Sequence, residues 1–234
     1  MFRLSPTALK DAVNKKWGCA RCFWLRIRHR IRHPDTGLGK IHQQIHDWVY
    51  EYLDNRSLPQ LPAGRLIKSE LSVRSQPYKN VELTGYLDGL LALDAGGYAI
   101  IDIKTTDRPE YVRANYSLQL NVYAYCLNHP AVSDKNDSNT NYTPVKDLGI
   151  LTFTGHRFGF DPPRKGGIVG EIQWHRISQD SKMVEVAIDQ ALMILQQDCL
   201  PDSNPNCQWC QFYERIGHDF TDFSKKIADD TINI

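Results

Sequence analysis

The sequence predicts an α/β fold with a mixed β-sheet flanked by helices. Apolar residues recur at helical spacing in the N-terminal segment, from Ser5 to Arg32. The spacing changes to the period of two that is typical of strands between Leu66 and Lys104. Further helical and strand patterns alternate along the rest of the chain. This order indicates one domain covering residues 1–234.

The N-terminal helical pattern begins at Ser5, which suits an N-cap, and at Pro6, which suits the first helical position. We expect one helix over residues 5–32. A second helix is predicted over residues 39–53, after a turn rich in Pro, Asp and Gly. His42 and His46 are four residues apart in it and therefore share one face.

The strand pattern predicts three antiparallel strands, which are Leu66–Val73, Val81–Leu93 and Tyr98–Lys104. The elements expected after them are a helix over 117–127, strands over 148–153 and 168–174, and a helix over 183–197. Residues 131–146 lack periodicity and predict a surface loop, and residues 214–234 predict a polar tail.

Composition excludes some classes of protein. No run approaches the ~18 apolar residues of a transmembrane helix, and the N-terminus lacks the apolar segment of a secretory signal. We therefore expect a cytoplasmic protein without a membrane partner. Clustered cysteines in that compartment indicate metal binding rather than disulfides. The net charge of +1 does not exclude nucleic acid, because a neutral total can hide a basic groove.

The second and third predicted strands carry two carboxylates and a lysine. Asp102 and Lys104 are two apart on a strand and point to the same face. If the preceding turn has an odd number of residues, Leu93 pairs with Gly97 and Asp88 lies opposite Asp102. Facing carboxylates repel unless a cation lies between them, and hard oxygen ligands suit Mg²⁺ or Mn²⁺. An even-numbered turn would spoil this pairing unless a bulge restored it.

A lysine beside such a metal could orient or deprotonate an attacking water, or stabilise charge developing on a phosphate. The alternative is a hairpin whose outer face carries ordinary solvated charges, since a lone D-x-K is common. The following helix argues for the site, because it places Gln119 and Tyr123 on one face.

Three motifs together resemble those of the RecB-like branch of the PD-(D/E)XK nuclease superfamily. They are Gly85-x-x-Asp88, Asp102-x-Lys104 and Gln119-x-x-x-Tyr123. The resemblance implies a restriction-endonuclease-like fold and a metal-dependent deoxyribonuclease, an exonuclease acting on single-stranded DNA or DNA ends. It implies that Lys104 is catalytic, and that Gln119 and Tyr123 contact DNA or position the site.

The same resemblance implies the ligands of the catalytic metal. Asp88, Asp102 and Ile103 would bind Mg²⁺ or Mn²⁺, and a histidine on an early helix would add a further ligand. His42 is our choice for that histidine and His46 the alternative. A solvated helix position is the competing interpretation for either one.

Two C-x-x-C pairs resemble the iron–sulfur clasp of RecB-like exonucleases, which include AddB-type repair nucleases and CRISPR-associated adaptation exonucleases. The resemblance implies that a 4Fe-4S cluster is held by four cysteines, which are Cys19, Cys22, Cys207 and Cys210. The cluster would join residues 1–35 to residues 199–213. The catalytic core would cover residues 66–127. It also implies a possible helicase or CRISPR-adaptation partner.

The cysteine pattern departs from that family in its arrangement. The common order is one N-terminal and three clustered C-terminal cysteines, whereas this chain has two and two. Cys199 is an alternative to Cys22 as a ligand. By spacing alone, two C-x-x-C knuckles also fit a four-cysteine Zn²⁺ site. Cys126, outside both pairs, is expected to be a buried free cysteine.

The N-terminal segment is basic and interleaved with aromatic residues. Arg21 and Arg26 suit contact with a phosphate backbone, and Phe23 or Trp24 could stack on bases. Alternatively, the aromatic residues pack around the metal cluster and the arginines are solvated. Two rival functions stay open, namely a nucleic-acid-binding or adaptor module that does not cut, and a zinc-knuckle interaction protein.

Overall fold

Strand-forming segments build a mixed β-sheet in the computed structural model, which describes residues 1–14, 16, 18–33, 40–55, 58–131, 142–161 and 165–215. Within these residues the sheet has six strands, which are β1 (Phe2–Leu4), β2 (Gly64–Arg74), β3 (Val81–Leu93), β4 (Tyr98–Thr105), β5 (Val145–Asp161) and β6 (Lys165–Ile177). The predicted mixed sheet is therefore confirmed.

The strand order is β1-β3-β4-β5-β6, and β2 also pairs with β3. Strands β2, β3 and β4 are antiparallel neighbours, as predicted. Strand β4 runs parallel to β5, and β1 runs parallel to β3. The β1 strand was not predicted from the sequence, because three residues are too short to show a reliable alternation.

The part of the chain that the structure describes also contains α-helices. They are α1 (Pro6–Val13), α2 (Ala20–Arg28), α3 (Lys40–Asn55), α4 (Val112–Asn128), α5 (Ser181–Leu195) and α6 (Gln208–Arg215), and a short 3-10 helix (Pro109–Tyr111) precedes α4. Helix α4 begins five residues before the predicted start, because Pro109 opens the preceding turn with a backbone angle that suits helix entry.

The predicted single helix over residues 5–32 is wrong, because the segment forms α1 and α2 with a break between them. Cys19 has extended backbone angles, φ −144° and ψ 115°, and α2 starts after it. Gly18 lies against the end of α1, where an added Cβ would be 2.4 Å from the carbonyl oxygen of Asp11. The approach of the chain to α1 at this point requires glycine.

One face of the central hairpin is an apolar core. Ala99, Ile101 and Ile103 of β4 are buried in it, together with Leu91 and Leu151. Val49 and Tyr50 of α3 pack against this cluster, so a helix covers this face of the hairpin. The alternating residues of β4, including Asp102, face the opposite side, where α4 lies.

The chain divides into two compact units. One, which we call the sheet unit, comprises Met1–Pro6 and Gly37–Glu185, and the other, which we call the terminal unit, comprises Thr7–Thr36 and Val186–Ile234. The assignment of residues 1–234 to a single nuclease domain stays a prediction. No helix in the described part of the chain is long and apolar enough to cross a membrane.

Candidate active site and cysteine cluster

The β3–β4 hairpin has the register that the odd-numbered turn predicts. The N–H of Leu93 donates to the carbonyl of Gly97 over 3.0 Å, and the pairing continues from Ala92 opposite Tyr98 to Gly89 opposite Ile101. Asp88 and Asp102 are the next residues of the two strands after the last pair, Gly89 and Ile101. The turn is closed by Gly96 and Gly97, which both have positive φ angles.

Asp88 ends the regular ladder between the two strands. The N–H of Ile103 donates to Asp88 Oδ2 over 2.9 Å, whereas the register would otherwise pair Ile103 with Leu87 of β3. The carboxylate thus takes the place of a main-chain acceptor. Because the N–H and C=O of one strand residue point to the same edge, the Ile103 carbonyl also faces this interruption.

Asp102 is the most buried charged group of the site. Its side chain has no exposed surface, and Lys104 Nζ lies 2.7 Å from Oδ2. Gln119 Nε2 donates to Oδ1 over 2.8 Å. Burial raises the pKa of Asp102 to about 7, against the lowering effect of Lys104, and the nearby charge of Asp88 adds to the rise.

Lys104 bridges the two carboxylates. Its Nζ lies 2.7 Å from Asp102 Oδ2 and 3.6 Å from Asp88 Oδ2. Burial on its own would lower the pKa of Lys104, but the two carboxylates outweigh it and the net shift is upward. The side chain is therefore held as an ammonium, which favours charge stabilisation over proton abstraction among the roles predicted for it.

Helix α4 supplies the second layer of contacts. Gln119 Nε2 also lies 3.2 Å from the hydroxyl oxygen of Tyr123, one turn further on. Burial raises the pKa of Tyr123, and the residue is only 5% exposed. Gly85 makes room for it, since an added Cβ would be 2.7 Å from Tyr123 Cε1. The glycine of the Gly85-x-x-Asp88 motif is thus explained by packing.

The two candidate histidines lie on α3. His46 Nδ1 is 3.9 Å from Asp88 Oδ2, so the reserve candidate lies beside the carboxylate pair. Burial lowers the pKa of His46, which favours the neutral ring that binds metal. The side chain of His42, the first choice, lies outside the described residues.

Two tyrosines near the site were missed by the sequence analysis. Tyr116 lies one turn before Gln119 on α4, and its ring is 5.3 Å from Lys104 Nζ. The spacing of three residues from Gln119 could have identified it. Tyr50 of α3 has a buried hydroxyl whose pKa is raised by burial and by Asp88 and Asp102.

The donor set fits a divalent metal. Asp102 Oδ2 is buried and has no aligned hydrogen-bond donor among the described residues, and its contact with Lys104 is an ion pair. It lies near Asp88 Oδ2, since both oxygens contact the same ammonium. Two neighbouring carboxylates, one of them with a buried oxygen that has no aligned hydrogen-bond donor among the described residues, match the hard-oxygen preference of Mg²⁺ and Mn²⁺. Asp88, Asp102 and the Ile103 carbonyl are the residues that would hold it.

The terminal unit contains the second candidate site. Cys19, Cys22, Cys207 and Cys210 form a group that could hold a metal ion, with all four Sγ atoms within 4.8 Å of one another. The group joins the N-terminal and C-terminal segments, as predicted. Cys199 is exposed and lies outside it. The structure therefore brings Cys22 to the cluster rather than the alternative.

The candidate DNA-binding arginines make contacts within the terminal unit. Arg21 donates to the carbonyl of Pro201 over 3.0 Å, and Arg26 Nη1 lies 3.0 Å from Asp11. Phe23 and Trp24 are 0% and 7% exposed, which favours the alternative in which the aromatic residues pack in the interior. Both have the apolar character that favours burial.

Two carboxylates and an adjacent ammonium thus converge on one face of the sheet. The sequence model of the PD-(D/E)XK nuclease superfamily matches residues 8–215. The chain therefore belongs to the PD-(D/E)XK nuclease superfamily. No curated protein matches this sequence significantly.

Two solved structures are similar to the chain. One is SSO0001, with 13% identity and a TM-score of 0.47 over 84% of this chain and 77% of that one. The other is an alkaline exonuclease (LHK-Exo) from Laribacter hongkongensis, with 10% identity and a TM-score of 0.45 over 82% of this chain and 86% of that one.

Proposed function

We propose that the protein is a Mg²⁺- or Mn²⁺-dependent deoxyribonuclease of the RecB-like branch, an exonuclease acting on single-stranded DNA or DNA ends. The observation that carries the proposal is the convergence of Asp88, Asp102 and Lys104 at the interrupted β3–β4 ladder. The reaction class follows from membership of a nuclease superfamily. The RecB-like branch is proposed because of the Gln119-x-x-x-Tyr123 motif.

A metal bound by Asp88, Asp102 and Ile103 would supply a water of lowered pKa and polarise the scissile phosphate. The chain's own contribution begins with Lys104. Its ammonium lies between the carboxylates and adds positive charge beside the place where a phosphate oxygen gains negative charge. The ion pairs restrict the motion of the side chain before substrate arrives.

Gln119 and Tyr123 act as positioning residues in this proposal. Gln119 holds Asp102 Oδ1 and leaves Oδ2 directed to Lys104 and the metal. The Tyr123 hydroxyl contacts Gln119 and is buried, so it orients the amide rather than contacting DNA. His46 beside Asp88 is a further candidate ligand.

The alternative of a nucleic-acid-binding or adaptor module without activity is disfavoured by the intact site. Asp88, Asp102 and Lys104 are all present and in mutual contact, whereas a site that has lost its function has no need of these costly buried charges. The proposal includes the helicase or CRISPR-adaptation partner that the family resemblance implies. It also keeps the contacts of Arg21 and Arg26 with DNA, which the basic segment predicts, and the cytoplasmic location expected from the sequence.

The decisive experiment is a cleavage assay with end-labelled linear single-stranded DNA and Mn²⁺. Lys104→Ala should lower the rate by about 10²–10⁴-fold, because it removes the charge beside the reacting phosphate. Lys182→Ala, at an exposed lysine of α5, is the matched control and should cleave like wild type. Equal rates for Lys104→Ala and wild type, or a wild type that does not cut, would contradict the proposal.

A circular single-stranded substrate separates an exonuclease from an endonuclease. We expect the protein to degrade the linear strand and leave the circular strand intact, because the circle offers no end. Cleavage of both at similar rates would retain the nuclease and overturn the exonuclease. An RNA strand of the same sequence tests the preference for DNA in the same assay.

A further inference from the structure

The four sulfurs of the cysteine cluster are unusually close together for ligands of a multinuclear cluster. Cys22 Sγ lies 3.6 Å from Cys207 Sγ and 3.6 Å from Cys210 Sγ. Cys19 Sγ lies 3.7 Å from Cys210 Sγ. The remaining separations are all within 4.8 Å. These distances set the size of anything that can occupy the centre.

A single metal ion fits this space. A regular tetrahedron with corners about 3.7 Å apart has its centre about 2.3 Å from each corner, which is the Zn–S bond length of a tetrahedral four-cysteine site. Three of the six sulfur separations, at 3.6–3.7 Å, match that edge. The cluster is thus close to the dimensions of one tetrahedral thiolate-bound ion.

A 4Fe-4S cluster does not fit the same space. Each of its four cysteines binds a different iron, and each iron lies away from the centre of the cube. The distance from the centre to each thiolate is therefore one Fe–S bond plus the distance from the centre to the iron. Thiolates around a cube must stand farther apart than thiolates around one ion, contrary to the 3.6–3.7 Å separations.

We infer that Cys19, Cys22, Cys207 and Cys210 hold one structural zinc ion rather than the iron–sulfur cluster that the family resemblance implies. All four positions of a tetrahedral ion are filled by protein, which leaves none for water or substrate. The inference does not depend on the proposed nuclease activity.

The surrounding backbone suits thiolate ligands. Cys19 immediately precedes α2 and Cys207 immediately precedes α6, so two helix N-termini with their partial positive charge approach the sulfurs. The N–H of Asn204 donates to Cys19 Sγ over 3.4 Å. The Asn204 carbonyl accepts the N–H of Cys207, and its side-chain amide donates to the carbonyl of Gly18. One residue therefore fixes both knuckles.

Disulfide bonds are the competing explanation for close cysteines. A disulfide requires an S–S distance of ~2.05 Å, and Cys22 is equally close to two different sulfurs. A pairwise bond would draw it toward one of them. The near-equal separations favour a shared central ion.

The test is elemental analysis of the full-length protein expressed in medium containing both iron and zinc, and purified without oxygen. We expect close to one zinc per chain, negligible iron and acid-labile sulfide, and a colourless preparation. Zinc X-ray absorption should give four sulfur neighbours at about 2.3 Å. Several irons with matching sulfide per chain, two disulfides, or no bound metal would each overturn the inference.

Two variants sharpen the assignment. Cys22→Ser should lower the zinc content well below one per chain, whereas Cys199→Ser, at an exposed cysteine outside the group, should keep it at one. If Cys22→Ser fails to fold, the wild-type protein can be used instead. Its metal is removed, and either Zn²⁺ or Fe²⁺ with sulfide is added back, which also distinguishes zinc from an iron–sulfur cluster. We expect one equivalent of zinc to restore the folded terminal unit. A visible iron–sulfur chromophore after reconstitution would contradict the zinc assignment.

Discussion

The two candidate metal sites of this protein differ in how completely the protein satisfies them. In the sheet unit, Asp88 and Asp102 have an ammonium and two hydrogen-bond donors. The buried Asp102 Oδ2 forms an ion pair with Lys104 but has no aligned hydrogen-bond donor among the described residues. In the terminal unit, four sulfurs surround one centre from all sides.

This difference determines what each site is suited to do. A site with a carboxylate oxygen held by an ion pair and a second, partly exposed carboxylate can exchange water and bind substrate, which catalysis requires. A site closed by four thiolates cannot, and its contribution is to folding. Variants of the first should lose activity with the fold retained, and variants of the second should lose the fold of their unit.

The largest effect is expected for Asp88→Asn. The amide oxygen can still accept the N–H of Ile103, so the hairpin is kept, but the charge that binds the metal is lost. We expect the cleavage rate to fall by about 10³-fold or more, and calorimetry to show weaker Mn²⁺ binding, with little change in Tm. Asp94→Asn in the exposed turn of the same hairpin is the control. Near-normal cleavage by Asp88→Asn would remove this carboxylate from the catalytic set.

The second effect is on stability and concerns Cys210→Ser. Cys210 is 1% exposed and its sulfur lies near those of Cys19 and Cys22. Loss of one ligand of a structural metal should destabilise the terminal unit by at least about 3 kcal/mol, because metal binding and folding are coupled. Thermal unfolding followed by circular dichroism measures it, with Cys199→Ser as the comparison. A Tm equal to that of Cys199→Ser would break the contrast between the two sites.

A smaller effect is expected for Gln119→Ala. The change removes the donor to Asp102 Oδ1 and the contact with the Tyr123 hydroxyl. Outer residues that orient a metal ligand contribute about 10–100-fold to affinity or activity, so we expect a loss of that size in kcat with weaker Mn²⁺ binding. Gln190→Ala, at an exposed position of α5, should match wild type. If kcat is unchanged and only KM for DNA rises, Gln119 contacts substrate instead of positioning Asp102.

The sequence predicted the central hairpin well because local rules govern it. The alternation of apolar residues and the length of the turn determine which residues face each other. The sequence left an odd and an even turn open, and the observed pairing is the one that the odd turn predicts. The interruption of the ladder by Asp88 was not predictable, because it depends on a side chain replacing a main-chain acceptor.

The terminal unit was predicted less completely, because its structure depends on contacts that local sequence patterns do not show. The four cysteines were identified by their pairing in the sequence, but the break before α2 follows from contacts of Gly18 with the end of α1. Spacing also left zinc and iron–sulfur open, since two C-x-x-C pairs fit a four-cysteine zinc site and also resemble the iron–sulfur clasp. Only the separation of the sulfurs in three dimensions distinguishes them.

The smallest effect concerns Tyr116, the aromatic residue beside Lys104. Its ring centre is 5.3 Å from Lys104 Nζ, within the range of a cation–π contact worth about 0.5–1 kcal/mol. Tyr116→Phe keeps the ring and should retain most activity, whereas Tyr116→Leu should lower kcat by about 2–5-fold. The control is Tyr111→Leu, which removes an exposed tyrosine five residues earlier in the chain. It measures how far the loss of any exposed aromatic side chain in this segment affects kcat.

The Phe and Leu variants together distinguish two roles for Tyr116. If the ring holds the ammonium near the carboxylates, only loss of the ring matters, and Lys104→Ala should abolish the difference between the two variants. If both variants lose activity equally, the hydroxyl is responsible and the cation–π contact is incidental. Since Lys104 already has two carboxylate partners, a loss much larger than 5-fold in Tyr116→Leu would mean that the ion pairs alone do not position the lysine.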